Sequence, residues 1–413
     1  MRSFFDKISM IIISIIIILN MGTVYFANNY NKFSIISLCV VGLIALFSLT
    51  PTIIVKQNAI IIAILYTLIM IPFAIISKSG SGILLFCGFI PFFPLIGIYY
   101  YKKDLIRDFL FIYVRIVLII GMVSLFFWVF MSCFHVIKPT GIVILKWGGI
   151  EDAAPTYHNL YFECQNYILD FFGINIGVRN CGIFSEAPMA SFIYSSALLA
   201  NCYLSNNRRN IIEVFLTILI ITTLSTTGLI VVICYYAFIF CFKKSDIAFM
   251  KIAKFFVMII VLILAVVGIR YLLIDKLNSG SGLVRSEKIN MEFDAFLSNP
   301  LFGNGYNTYT NGSSNSFTSV LADGGIVLFC FYYIPIFTSI FKYRRNKIIC
   351  MILILYCSML LITSVAYSYL NTIFILELWS DILRLKSKNT LNKEVHHIQY
   401  RKRKKIILKE RTY

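Results

Sequence analysis

Residues 8–27 read ISMIIISIIIILNMGTVYFA, a run of twenty residues without a charged side chain. A membrane hydrocarbon core about 30 Å thick needs about 20 apolar residues of helix to cross it. Arg2 and Lys7 precede the run, as they would in a signal sequence, but no convincing small-residue cleavage site follows it. The run therefore predicts a retained signal anchor.

The rest of the chain continues this composition. Of 413 residues, 59% are hydrophobic and 14% are charged, and the mean hydropathy is +0.84. A soluble domain is about 45–50% apolar and about 25% charged, so the composition excludes an ordinary soluble domain. We expect an all-α, polytopic membrane protein with about 12 transmembrane helices. The candidate spans are 8–27, 33–49, 58–77, 83–100, 109–134, 187–204, 211–224, 228–242, 254–274, 317–341, 348–364 and 369–385. Because 211–224 and 228–242 are short, a broken or re-entrant pair is the alternative for them.

The net charge of +18 comes largely from basic residues between alternate apolar runs and at the C-terminus. If the spans alternate, the basic loops near 102–107, 208–209, 243–254 and 342–347 fall on one side together with both termini. Cytoplasmic loops carry the excess of Lys and Arg, so we expect both termini in the cytoplasm. This pattern explains the charge without a nucleic-acid partner. We expect a single integral membrane domain over 1–385 and a basic cytoplasmic tail over 386–413 that meets anionic membrane lipid.

Two long segments, about 135–185 and about 275–316, would then face outward. Polar segments of this length are usually functional or disordered. The second opens with an amphipathic stretch in which Ile289, Phe293, Phe296 and Leu297 recur at helical spacing, which predicts an ordered segment. In the first, Cys164 and Cys181 are compatible with a disulfide or with two thiols. No metal-ligand spacing such as C-x2-C occurs, and we expect no metal and no cofactor.

Each outer segment carries a motif at the mouth of a span. Arg179 and Glu186 lie just before the run at 187–204, and either they form an interfacial ion pair or they act on a substrate. If they act on a substrate, the Arg179 guanidinium would bind phosphate oxygens and the Glu186 carboxylate would accept a proton. In the second segment, 299–306 reads NPLFGNGY, where proline ends a helix and glycines permit close approach to a ligand. These residues are equally compatible with a simple reconnection of two spans.

Three further charged residues have structural interpretations. Arg270 near the end of a span would extend its charged end to the interface. Glu377 and Asp381 lie one helical turn apart near the cytoplasmic end of the last span. Packing, or pairing with Arg384, explains them more simply than catalysis does.

Together the two outer segments resemble the Wzy-type polymerases of bacterial O-antigen and capsular polysaccharide, within the O-antigen ligase and polymerase superfamily. Residues 179–188 are similar to an R-x-x-G-x-F-x-E-P pattern, with Ala187 inserted before Pro188. Residues 299–306, after Arg285, are similar to a P-L-F-G-x-G segment. Residues 315–326 are similar to an H-N-S-F…E-x-G-I entry into a span, with Ser314 in the place of the histidine.

The resemblance implies a GT-C-like, metal-independent glycosyltransferase in the inner (cytoplasmic) membrane of a bacterial cell. It would transfer a glycan from undecaprenyl pyrophosphate to the sugar of a second lipid-linked repeat unit on the outer face. A separate chain-length regulator is the implied partner. Arg179 and Arg285 would stabilise the leaving pyrophosphate, and Glu186 or Asp323 would be the base. The implied substrate-binding residues are Gly303, Asn304, Gly305, Tyr306, Tyr309 and Asn315.

Other functions remain as alternatives. A lipid-linked oligosaccharide flippase would also have about twelve spans, but a transporter should carry charged residues along a path inside the membrane, where this chain has few. An O-antigen ligase performs the same chemistry on another acceptor, and the absence of a histidine at Ser314 argues against it. A membrane scaffold for other polysaccharide enzymes would tolerate the loss of every arginine named above.

Overall fold

The computed structural model describes residues 4–48, 57–77, 92–101, 105–147, 150–165, 170–171, 174–175, 178–205, 211–242, 252, 256, 280–306 and 315–383. Most of the predicted span at 254–274, the basic tail, Arg270, Arg384, Tyr309 and Ser314 lie outside the described residues. The side chain of Arg285 is not described either. The expected helical character is confirmed, since the structure is 77% helical.

Thirteen helices are described, numbered here in chain order. They are α1 (Phe4–Leu19), α2 (Val24–Asn28), α3 (Tyr30–Ser48), α4 (Gln57–Ile76), α5 (92–101), α6 (Ile106–Phe127), α7 (Ala187–Ser205), α8 (Ile211–Thr222), α9 (Thr226–Phe242), α10 (Gly280–Ser298), α11 (Ser316–Lys342), α12 (Lys347–Ile362) and α13 (369–383). A π-helical turn, Trp128–Cys133, extends α6. Among the described residues, Ile106–Cys133 and Ser316–Lys342 are long and apolar enough to cross a membrane.

One apolar core joins α1, α4, α6, α7 and α11 to α13. Large aromatic side chains such as Tyr113, Tyr194 and Phe192 are fully buried in it. Apolar side chains also cover the outside of the bundle, where Ile75, Ile119 and Phe341 are all more than half exposed. Exposed apolar surface of this extent is typical of contact with lipid or a partner rather than with water.

Contacts between helix ends fall into two groups, one at each end of the bundle. At the end that carries both long loops, called the loop end below, the pairs are Ser185 with Gly22, Asn180 with Thr222, Tyr306 with Ser77, and Ser316 with Thr363. At the opposite end the pairs are Tyr99 with Asp6, Arg107 with Leu204, and Lys342 with Asp381. Each pair joins helix ends that an alternating chain path would place at the same level.

The first loop contains two small antiparallel sheets, of three and two strands, that the all-α expectation did not include. Strands β1 (Gly141–Trp147), β2 (Ile150–Tyr157) and β3 (Tyr161–Phe162) pair in order, and β4 (Asp170–Phe171) pairs with β5 (Ile174–Asn175). The apolar run in β1 presents Val143 and Leu145 to a cluster that includes Val24 and Phe162. Burial of one strand face against α2 favours the three-stranded sheet in a protein that is otherwise helical.

Helices α8 and α9 correspond to the two short apolar runs. A three-residue turn, 223–225, separates them, and Leu224 within it has φ +48°. The 12 residues of α8 give a helix about 18 Å long, which is shorter than the hydrocarbon core of about 30 Å.

Candidate functional site

The first group of predicted residues, called the arginine cluster, consists of Arg179, Glu186, Gln165, Asn180 and Cys181. Arg179 Nη1 donates to Gln165 Oε1 at 3.2 Å, and the N–H of Ala187 donates to the same oxygen at 3.4 Å. Gln165 therefore joins the arginine to the first turn of α7, beside Glu186. The sequence suggested the Arg179 and Glu186 pair, and the structure brings the two residues together around a glutamine that the sequence did not single out.

The thiol of Cys181 shows how the two charged groups act on a common neighbour. Burial raises the pKa of Cys181 to about 12, the Arg179 guanidinium opposes this rise, and the Glu186 carboxylate adds to it. Cys181 donates to the carbonyl of Cys164 at 3.2 Å, and no disulfide joins these two described residues. Of the two alternatives that the sequence left open, the structure shows the second, in which Cys164 and Cys181 are two buried thiols.

Asn180 anchors the arginine cluster to the loop end of the bundle. Its Oδ1 accepts from Ser124 Oγ at 2.6 Å, and its Nδ2 donates to Thr222 Oγ1 at 3.1 Å. Its backbone N–H donates to the carbonyl of Thr222 at 3.0 Å. Because Asn180 is fully buried and its amide is satisfied from two helices, it sets the position of Arg179 next to it.

The second group of predicted residues lies at a kink in α11, where Gly325 adopts φ +60° and ψ −163°. A kink at this point separates the carbonyls of residues 322 and 323 from the N–H groups of residues 326 and 327, which an unbroken α-helix would pair. Residues 300–305, called the kink loop, provide partners for all four groups. These bonds are Asn304 N to Ala322 O at 3.1 Å, Gly305 N to Asp323 O at 2.8 Å, Ile326 N to Pro300 O at 2.8 Å, and Val327 N to Leu301 O at 3.3 Å.

Glycines make this close approach possible. Gly303 and Gly325 both have positive φ, and a Cβ on either would overlap the backbone of the facing segment. A Cβ on Gly305 would lie 2.7 Å from Ser77 at the end of α4. The sequence predicted that Gly303 and Gly305 let the backbone approach a ligand closely, and the structure shows these two glycines and Gly325 admitting the protein's own backbone.

Two asparagines that were predicted to bind substrate have structural partners here. Asn304 is buried, its Oδ1 accepts from Asn299 Nδ2 at 2.5 Å, and its Nδ2 donates to the carbonyl of Ala295 at 2.5 Å. Asn315 is the N-cap of α11, where its Oδ1 accepts from the N–H groups of Phe317 and Thr318 at 2.9 Å each. Both amides therefore stabilise the fold in this structure, and a role in binding sugar stays a prediction.

Asp323 lies beside the kink with a partner that the sequence did not suggest. Tyr367, in the turn between α12 and α13, donates its hydroxyl to Asp323 Oδ2 at 3.0 Å. Burial and the Asp323 carboxylate raise the pKa of Tyr367, which keeps that hydroxyl protonated as a donor. The ring of Tyr306 packs edge-on against Tyr367, with the ring centroids 5.3 Å apart, so the predicted Tyr306 and Asp323 share one neighbour.

A second carboxylate, Glu292, is buried at the same place. It lies on α10 with 1% of its surface exposed, and Thr318 in the first turn of α11 donates to it. Arg285 is seven residues earlier on α10, about two turns away, so its position falls on the helix face that carries Glu292.

At the opposite end of the bundle, Asp381 forms an ion pair with Lys342 and accepts from Tyr343 at 2.5 Å. Packing or pairing was predicted for this residue, and the described partner is Lys342. Both carboxylate oxygens of Glu377, one turn earlier, are buried and have no hydrogen-bond partner among the described residues.

The described part of the chain contains no group of three or more His, Cys, Asp or Glu side chains that could hold a metal ion. Comparisons with known protein families, with curated proteins and with solved structures find no match for this chain.

Proposed function

We propose that this protein is a polysaccharide polymerase of the Wzy type, with about twelve spans and both termini in the cytoplasm. It would join repeat units carried on undecaprenyl pyrophosphate at the outer face of the bacterial cytoplasmic membrane. Contacts between helix ends support the topology, since every pair named above matches an alternating path that begins in the cytoplasm.

The observation that carries the proposal is the pairing of the kink loop with residues 322–327. Two of the three motifs behind the resemblance, 299–306 and 315–326, are separate in sequence and form one hydrogen-bonded unit at the loop end. That unit holds Asp323 next to Tyr306 and Tyr367. A site for a large substrate at the membrane surface needs such a rigid support behind its reacting groups.

The proposed reaction assigns a role to each charged residue. The acceptor hydroxyl attacks the anomeric carbon of the donor, and the bond from that carbon to the pyrophosphate oxygen breaks. The electron pair of that bond leaves with the pyrophosphate, where Arg179 and Arg285 stabilise the new charge. The hydroxyl proton passes to a carboxylate, either Glu186 or Asp323.

Deletion of the gene, followed by complementation with variants, tests this proposal by the length of the surface polysaccharide on gels. We expect Arg179→Ala and Arg285→Ala each to leave single-repeat products, because loss of one such charge-stabilising group typically slows a reaction about 10²–10³-fold. Arg179→Lys should also fail if the contact is a bidentate clamp on phosphate. Arg345→Ala, an exposed arginine at the opposite end of the bundle, is the matched control and should leave chain length unchanged. Normal ladders from both arginine variants, in protein that reaches the membrane, would rule out the assignment.

A flippase is the second candidate, because Glu377 is a buried carboxyl inside a predicted span, a feature that transporters use. The deletion strain separates the candidates. Loss of polymer with single repeats on the surface supports the polymerase, and lipid-linked repeats held on the cytoplasmic side support the flippase. Polymer that is made but never attached would support a ligase instead.

A further inference from the structure

Helix α10 has an exposed apolar stripe, which consists of Ile289, Phe293 and Leu297 and continues into Leu301 and Phe302 after the helix. Leu297 and Leu301 are each 60% exposed, and Phe302 is 54% exposed. Ile289, Phe293 and Leu297 are three of the four residues whose spacing predicted an amphipathic helix. In a water-soluble protein such a stripe would be buried against the core.

The side of α10 that packs against the core is not the side that carries the apolar stripe. Glu292 and Ala295 are buried at 1% and 3% exposure, and Glu292 contacts Thr318 of α11. A third side carries the exposed charged residues Glu287 and Asp294. At about 100° per residue, the apolar stripe lies between the packed side and the polar side. The helix therefore has three environments, and the packing of its polar residue Glu292 leaves the apolar stripe uncovered.

The stripe is continuous with the apolar outer surface of a candidate span. Leu301 is hydrogen-bonded through its backbone to Val327, next to the exposed Ile326. From Ile326, exposed apolar side chains follow along α11 at Ile334, Phe337 and Phe341. The fifteen residues between Ile326 and Phe341 correspond to about 22 Å of helix, which is most of a hydrocarbon core about 30 Å thick. The stripe therefore lies where the lipid-facing surface of α11 reaches its loop end.

From this placement we propose that α10 is an interfacial helix whose apolar stripe inserts into the boundary between headgroups and acyl chains at the loop end. The partner is the lipid surface itself. Apolar area drives the contact, since the stripe contains no Lys or Arg, and it should not require anionic lipid. This inference does not depend on the reaction that the protein catalyses.

Fluorescence quenching by brominated lipids tests the proposal on the full-length protein reconstituted in phosphatidylcholine vesicles. Leu297→Trp and Phe302→Trp each place an indole on the stripe, and Glu287→Trp places one on the polar side of the same helix as the matched control. The parent protein has 3 Trp residues, and its signal is subtracted. We expect blue-shifted emission from the two stripe variants and roughly twofold greater quenching than for Glu287→Trp, with or without anionic lipid.

Equal quenching at positions 287, 297 and 302 would overturn the proposal, because all three indoles would then share one environment. Blue-shifted emission without quenching at 297 and 302 would also overturn it, since it would mean that protein covers the stripe, either a second copy or another segment of this chain. Quenching that appears only with anionic lipid would contradict the apolar mechanism. All three variants change exposed side chains, so the protein should fold in each case.

Discussion

Gly325→Ala should open the contact between α11 and the kink loop. The backbone at this position has φ +60° and ψ −163°, a conformation that only glycine adopts readily, so the strain alone should cost about 1–3 kcal/mol. The added methyl group would also lie 2.5 Å from the carbonyl of Leu301 and 2.7 Å from that of Pro300, whereas ordinary contact begins at 3.4 Å. These are backbone atoms, which cannot rotate away, so the kink loop has to move.

Movement of the kink loop should break the four hydrogen bonds that it makes with α11. A loss of about 2 kcal/mol in local opening free energy corresponds to about thirtyfold faster amide exchange, since each 1.4 kcal/mol is a factor of ten. Hydrogen–deuterium exchange measured by mass spectrometry on peptides covering 299–306 and 322–328 reads this effect without an activity assay. We expect faster exchange at the amides of Asn304, Gly305, Ile326 and Val327.

Gly42→Ala is the matched control for this variant. Gly42 lies within α3, where the nearest atoms to an added Cβ belong to the ring of Phe92, at an ordinary contact distance of 3.6 Å. Alanine is a better helix former than glycine by about 1 kcal/mol, so α3 should stay intact in Gly42→Ala. Exchange in both kink peptides should therefore stay at the parental rate. If Gly325→Ala also leaves both peptides as protected as in the parent, the proposed dependence of the kink loop on this glycine is wrong.

Two further predictions concern polar residues whose roles the structure assigns. Asn304→Asp replaces the amide that donates to the carbonyl of Ala295. It should lower the free energy of unfolding of the purified protein by about 2–4 kcal/mol. Asn315→Asp keeps the oxygen that caps α11 and should change stability by less than about 0.5 kcal/mol, so equal losses from the two variants would contradict these roles. At the opposite end, Asp381→Asn should destabilise by about 1–3 kcal/mol, because Lys342 loses its ion pair with the carboxylate. The carboxyl of Glu377 has no hydrogen-bond partner among the described residues, so Glu377→Gln should leave stability almost unchanged. A larger loss of stability for Glu377→Gln than for Asp381→Asn in the same melting assay would contradict this prediction.

Much of the candidate site could be predicted from unusual residue types. Arg179 and Glu186 drew attention because an arginine and a carboxylate at the mouth of a span are costly unless they are paired or functional, and the structure brings them together around Gln165. Gln165 and Tyr367 could not be found this way, because a glutamine in a polar loop and a tyrosine in a short turn are ordinary in sequence. Their importance comes from what they contact, and those contacts join segments far apart in the chain.

The sequence by itself determined the apolar helical character of the chain, because hydropathy depends only on which residues follow one another. It also marked the glycines at 303 and 305 as backbone positions with special requirements. Tertiary structure alone decided what those glycines approach, since the backbone groups freed at the kink can be satisfied only by a segment that folds against them. It also decided that α10 packs through Glu292 and leaves Phe293 and Leu297 exposed, because helical spacing describes a stripe but not the surroundings that receive it.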